Sequence, residues 1–176
     1  MKVLVAVASK HGATAEIADA IGRTLEQAGL EVAVVDAAEV TTVDPYAAAV
    51  IGSGVYAGHW LKAARALVDR NEAALAEMPV WLFSSGPLRD PLKPQDDEAV
   101  NVDGIIQMTK AADHRVFAGA LDRDKLTFAE KAIIRAVRAE GGDFRDWGEI
   151  EAWAAEIVAT LRAGESGASP WPFVPT

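Results

Sequence analysis

Val3-Leu4-Val5-Ala6-Val7-Ala8-Ser9-Lys10-His11-Gly12-Ala13-Thr14 is the stretch on which the fold turns. Its six leading apolar residues have the length and valine content of a buried strand, and a polar, glycine-bearing turn follows directly. Beyond the turn, Ile17, Ile21, Leu25 and Ala28 recur at helical spacing while Glu16, Asp19, Arg23 and Glu26 take the other face. Gly29 then stops the helix. A strand, a short turn and an amphipathic helix in that order open a βαβ unit.

Further runs of the same kind continue the alternation. Strands are expected at Glu31–Val35, Ala48–Gly52, Val80–Ser84 and Arg115–Ala118. Between them, a helix is predicted from Trp60 to Ala76, with Leu61, Ala64, Leu67, Val68 and Leu75 inward, and another from about Asp97 to Lys110. Asp146 with Glu149 three residues on makes a capping box, and Trp147, Ile150, Ala154, Ile157, Val158 and Leu161 form the stripe of a last helix. The pattern predicts an α/β fold, a doubly wound five-stranded parallel sheet with helices on both faces. Residues 1–163 are read as one domain. Gly164 to Thr176, rich in Gly, Ser and Pro, are read as a flexible tail whose Trp171 and Phe173 have the alternative of docking on the body or on a partner.

Composition narrows the chemistry. The 176 residues are 51% apolar and 24% charged, an ordinary globular balance. A chain of this size buries about 70% of its unfolded surface in one domain. The absence of cysteine excludes disulfides, thiolate metal sites and cysteine nucleophiles, so any redox chemistry must be borrowed from a cofactor. A formal charge of −9 argues against nucleic acid as a partner. The opening apolar run is too short for a signal-peptide core, and no stretch reaches the roughly 18 apolar residues of a membrane span. Cytoplasm is the expected compartment, and membrane association is not expected to be stable.

Ser9 to Thr14 carry the informative chemistry. Backbone N–H groups at a helix start have no intrahelical partner, the helix dipole adds partial positive charge, and the Ser9 and Thr14 hydroxyls supply donors. Gly12 lets the backbone approach an anion closely. The turn suits a phosphate, although residues of these types also serve simply as helix caps. Neither Gly-x-x-x-x-Gly-Lys-Ser/Thr nor Gly-x-Gly-x-x-Gly is present after the first strand, which disfavours ATP, GTP and NAD. Two further loops fall at C-terminal strand ends: Gly52-Ser53-Gly54-Val55-Tyr56-Ala57-Gly58-His59-Trp60, and Ser84-Ser85-Gly86-Pro87-Leu88. Ligands bind along that edge of an open parallel sheet. Glycines leave room for a flat ring, exposed amides can meet its polar rim, and Tyr56 is a candidate to stack on it. Trp60 is expected to cover the next helix start instead. Of the three histidines, His114 is expected to be structural, whereas His11 and His59 lie beside the crevice and are candidates for proton transfer without being assigned to it.

These residues resemble flavodoxin-like proteins, whose phosphate loop reads Ser/Thr-x-x-Gly-x-Thr after the first strand; Ser9, Gly12 and Thr14 match it. The resemblance spans residues 2–162. It implies strand order 2-1-3-4-5 and non-covalent FMN, with Ser9, Lys10, His11, Gly12, Ala13 and Thr14 on the phosphate, Ser53, Gly54, Val55 and Tyr56 in the second flavin loop, and Ser85, Gly86 and Pro87 in the third. The chain is similar in particular to the flavodoxin-domain group that contains menaquinone-dependent protoporphyrinogen dehydrogenases. That similarity rests on Ala8 to Thr14, on Val116-Phe117-Ala118-Gly119-Ala120-Leu121, and on Gly141-Gly142-Asp143 followed by Asp146-Trp147. The last two stretches frame an extra segment, Asp122 to Arg145, where this group carries an insertion associated with its membrane and quinone role. Here the segment is expected to hold a helix that packs on the domain, with Ile133, Ile134 and Val137 inward. The resemblance implies an FMN-dependent oxidoreductase that passes electrons from a reduced substrate to an acceptor such as a quinone or a redox partner protein. The alternative is a flavodoxin-type electron carrier with an acidic docking surface. A phosphorylatable receiver domain is set aside, because Ala8-Ser9 and Gly52-Ser53 stand where its acids belong. No catalytic residue and no metal set are singled out.

Overall fold

The structure is a computed structural model and describes residues 1–86, 101–121 and 142–165. Its elements are β1 (Lys2–Ala8), α1 (Ala13–Gln27), β2 (Glu31–Asp36), β3 (Ala48–Tyr56), β4 (His59–Trp60), α2 (Lys62–Leu75), β5 (Val80–Ser85), α3 (Asp103–Thr109), β6 (Asp113–Phe117), β7 (Ala120–Leu121), β8 (Gly142–Asp143) and α4 (Trp147–Glu165). The five long strands pair in parallel in the order β2-β1-β3-β5-β6, which is 2-1-3-4-5 when those strands alone are counted.

Period-two alternation along β1 divides the core. Val3, Val5 and Val7 face one side, where Ile17, Ile21 and Leu25 of α1 meet Ile150, Trp153, Ile157 and Leu161 of α4. Leu4, Ala6 and Ala8 face the other, against Leu67, Val68 and Leu75 of α2 and Ile105 of α3. Each fully buried Leu, Ile or Phe side chain contributes about 1.5–3 kcal/mol relative to exposure, so both layers are held by apolar burial. At the expected capping box, Glu149 N–H donates to Asp146 Oδ1 at 3.0 Å and starts α4.

Boundaries depart from expectation at four places. β3 continues to Tyr56, four residues past Gly52, and turns back through Ala57 and Gly58 into β4, so Trp60 lies in a hairpin and α2 begins at Lys62. Both turn residues have positive φ, 50° and 77°, the backbone that matches strand twist in a two-residue hairpin. β6 starts at Asp113 rather than Arg115 and ends at Phe117, placing His114 inside the strand. Its polar start is supported because Asp113 accepts from Trp153 Nε1 and Arg115 Nε, both at 2.8 Å. α3 occupies only Asp103–Thr109 of the stretch expected to be helical, of which 97–100 lie outside the described residues. α4 runs through Gly164 to Glu165; residues 166–176 lie outside the described residues, as do 122–141 of the inserted segment. The described ends of that segment pair antiparallel, Ala120 with Asp143 and Leu121 with Gly142. Among the described residues no helix is long and apolar enough to cross a membrane.

Candidate functional site

β1 ends at Ala8 and the chain enters α1 through Ser9 to Gly12. Gly12 is the residue before the first helical turn and has φ 94°, a left-handed conformation open to glycine. A Cβ added there would meet no atom within 4 Å, so the space before the helix is clear. Gly12 N–H donates to Ser9 Oγ at 3.1 Å, which closes the turn and leaves the Ser9 O–H available as a donor. No side chain caps α1, and among the described residues the amides of Ala13, Thr14 and Ala15 have no acceptor. Thr14 is only 5% exposed, yet its hydroxyl has no protein partner among the described residues. Amides at a helix start have no intrahelical partner and favour an anion, so this cluster of amides and hydroxyls is a candidate anion site.

The other two strand ends lie alongside. Ala8 is in register with Ser53, Ser53 with Ser84, and Gly54 with Ser85, which sets the three loops next to one another at the C-terminal edge. A Cβ at Gly54 would fall 3.3 Å from Thr14 Oγ1, so the second loop closes directly over the first. Tyr56 is 40% exposed at the mouth, its ring centroid 6.4 Å from that of His11 and 5.2 Å from Lys10 Nζ. In the third loop, Gly86 N–H donates to Phe117 O at 3.1 Å, and a Cβ at Gly119 would stand 3.2 Å from Gly86 Cα. The run Val116 to Leu121 therefore braces the third loop from behind.

Several expected ligand residues spend their side chains on the protein. Ser53 is fully buried; its Oγ accepts from Leu61 N–H at 2.9 Å and donates to Gly54 O at 2.8 Å, and in the sheet it is paired with Ala8 on one side and Ser84 on the other. Ser85 is 5% exposed at the end of β5. Val55 is half-buried, and Pro87 lies outside the described residues. Trp60 is structural as expected: its Nε1 donates to Ser84 Oγ at 2.8 Å, and Ser84 Oγ is 2.8 Å from His114 Nε2. His59 is exposed on β4.

A crevice of about 270 Å³ also opens on the β2 side of the first loop, between Ser9, Gly12, Asp19 and Asp36. Its two carboxylates, Asp19 and Asp36, are exposed and make that side unfavourable to an anion. Sequence reading took Arg145 only as a boundary. The structure brings its guanidinium to the first turn of α1, 3.0 Å from Ala13 O and 2.7 Å from Glu16 Oε2. Asp143 holds the same guanidinium in a two-pronged pair, 2.8 Å to Nε and 2.6 Å to Nη2. Those hydrogen bonds from Arg145, against a smaller opposing effect of burial, hold the Asp143 carboxyl below its usual range. No local sequence pattern announces a contact between residues 129 positions apart.

Strand order, glycine-bearing loop ends and an open helix start define a doubly wound α/β protein whose loops gather at a topological switch point, the usual ligand position of such sheets. The chain belongs to the Flavodoxin domain family, whose sequence model matches residues 4–147. A flavodoxin from the domain Archaea shares the fold at a TM-score of 0.62 and 16% identity, with 92% of this chain and 99% of that one covered. Flavodoxin 1 of Bacillus cereus is comparable, at 0.61 and 17%, covering 90% and 98%. Among curated proteins, protoporphyrinogen IX dehydrogenase [quinone] of Escherichia coli K12 is 26% identical over 172 residues, 90% of this chain and 95% of the relative. Flavin-type redox chemistry is the property of the family.

Proposed function

We propose that the chain binds FMN non-covalently and works in the cytoplasm as an oxidoreductase, passing electrons from a reduced substrate through the flavin to an acceptor such as a quinone. The observation that carries this reading is the open start of α1, where left-handed Gly12 leads into three amides without acceptors among the described residues, beside the Ser9 and Thr14 hydroxyls. When bound, FMN would supply the redox centre that a chain without cysteine needs from a cofactor.

The protein's part is to bind, orient and shield. The amides of Ala13, Thr14 and Ala15, with the Ser9 and Thr14 hydroxyls, receive the phosphate; charge-assisted bonds of this kind are stronger than neutral ones. Gly54 leaves the ring a path past Thr14, and Tyr56 covers its outer face. Ser85 and Gly86, braced by Phe117 and Gly119, present backbone to its polar edge, with Pro87 proposed to complete that loop. The similarity to the quinone-dependent dehydrogenase supports a porphyrinogen as substrate class and a quinone as acceptor.

A second reading is favoured by the net charge of −9 and by structural neighbours that are flavodoxins: an electron carrier steered to basic redox partners. One experiment separates the two. Protein loaded with FMN is mixed with protoporphyrinogen and a menaquinone analogue. Turnover that depends on the protein establishes the oxidoreductase. A yellow protein without turnover, which exchanges electrons with a flavodoxin reductase, establishes the carrier.

A further inference from the structure

We propose that Arg145 is a positioning residue for the phosphate loop, suppressing the charge of Glu16 at the helix start so that the start stays attractive to an anion. The inference rests on the reading of Ser9 to Thr14 as a phosphate site and extends it to a residue more than 130 positions away.

Glu16 sits in the first turn of α1. An acid there suits the helix dipole, but it competes with any anionic ligand at the same pole because like charges repel, an effect that solvent moderates at the 56% exposed Glu16 side chain. Arg145 removes the conflict by drawing the Glu16 carboxylate to 2.7 Å from Nη1. The same nitrogen donates to the Ala13 carbonyl, so charge and backbone of the first turn are fixed together. Four hydrogen bonds occupy four of the five guanidinium donors. The side chain is 7% exposed and its guanidinium carbon lies 4.5 Å from the centre of the Trp147 ring. It is a strut whose donors are mostly spent on Asp143, Glu16 and the Ala13 carbonyl, so it acts through the turn. It also follows directly on β8, whose pairing with β7 joins the described ends of the inserted segment. The exit of that segment is therefore mechanically tied to the phosphate loop.

Binding of FMN and of riboflavin, followed by quenching of flavin fluorescence at low salt, tests the proposal, since riboflavin lacks only the phosphate. Arg145→Gln is expected to weaken FMN about tenfold while changing riboflavin less than about twofold. Adding Glu16→Gln to that variant restores most of the FMN affinity, and Arg145→Lys, which keeps the charge, loses less than Arg145→Gln. Glu16→Gln alone, which leaves the strut in place, tightens FMN by about twofold and leaves riboflavin unchanged. That single variant keeps the proposal testable if Arg145→Gln fails to fold. Equal weakening of both flavins by Arg145→Gln, or no FMN response to either substitution, overturns it. Failure of the phosphate reading is distinct: the unsubstituted protein then binds FMN no better than riboflavin.

Discussion

Two groups of nearly buried hydroxyls behave in opposite ways. In the middle of the sheet, Ser53 bridges Leu61 N–H and Gly54 O, and Ser84 bridges the Trp60 indole and the His114 ring. At the start of α1, Thr14 is 5% exposed, and neither its hydroxyl nor the neighbouring amides have a partner among the described residues. The sheet centre is finished by the protein itself. The helix start is left open, and an anion there would satisfy several donors at once and be favoured by the dipole.

The contrast breaks most visibly at Thr14. Thr14→Asp sets a carboxylate where the phosphate belongs and is expected to weaken FMN by at least about a hundredfold, with thermal stability nearly unchanged because an acid suits a first helical turn. A titration followed by flavin absorbance, paired with a melting curve, reads both quantities. The reverse pattern is expected at Ser84. Ser84→Ala strands the Trp60 N–H and costs about 1–3 kcal/mol in urea unfolding, while FMN affinity stays within about twofold.

Gly119→Ala probes the brace between the two regions. Its methyl would press on the Gly86 backbone at 3.2–3.3 Å, and backbone yields less readily than a side chain. Loss of about 1 kcal/mol in stability and a few-fold weaker flavin binding are expected together, read by the same two assays.

A smaller effect lies in the acid limb. Burial alone would raise the Asp113 carboxyl, but hydrogen bonds from Arg115, Trp153 and the His114 amide, with the Arg115 charge, outweigh it and hold the group below 3.8. A carboxyl depressed in the folded state stabilises above its unfolded value and loses that contribution as pH falls through the folded one. Asp113→Asn should therefore be less stable than the parent at pH 7, with the gap narrowing from about pH 5 downward. A gap independent of pH in chemical unfolding would show that the ionised carboxyl contributes nothing.

Much of this contrast was legible in the sequence, for reasons that particular residues make plain. Val3 to Ala8 announced a central strand because a strand covered on both faces needs no polar alternation. Ser9, Gly12 and Thr14 pointed to a turn into a helix, and the structure has an open helix start there led by left-handed Gly12. The hairpin was missed since Ala57, a non-glycine residue, takes positive φ and carries no turn signal of its own. Ser53 was assigned to the ligand because a serine beside glycines at a strand end looks the same whether its hydroxyl turns outward or, as here, inward to Leu61. Arg145 was missed because an ion pair between distant segments depends on the completed fold.

The claim that the start of α1 grips a phosphate is tested most directly by amide proton and nitrogen chemical shifts of the ¹⁵N-labelled protein on adding FMN or riboflavin. The account predicts large downfield movement of the Ala13, Thr14 and Ala15 amides with FMN and little with riboflavin. If those three amides stay in place, or move equally with both flavins, the anion site is not there.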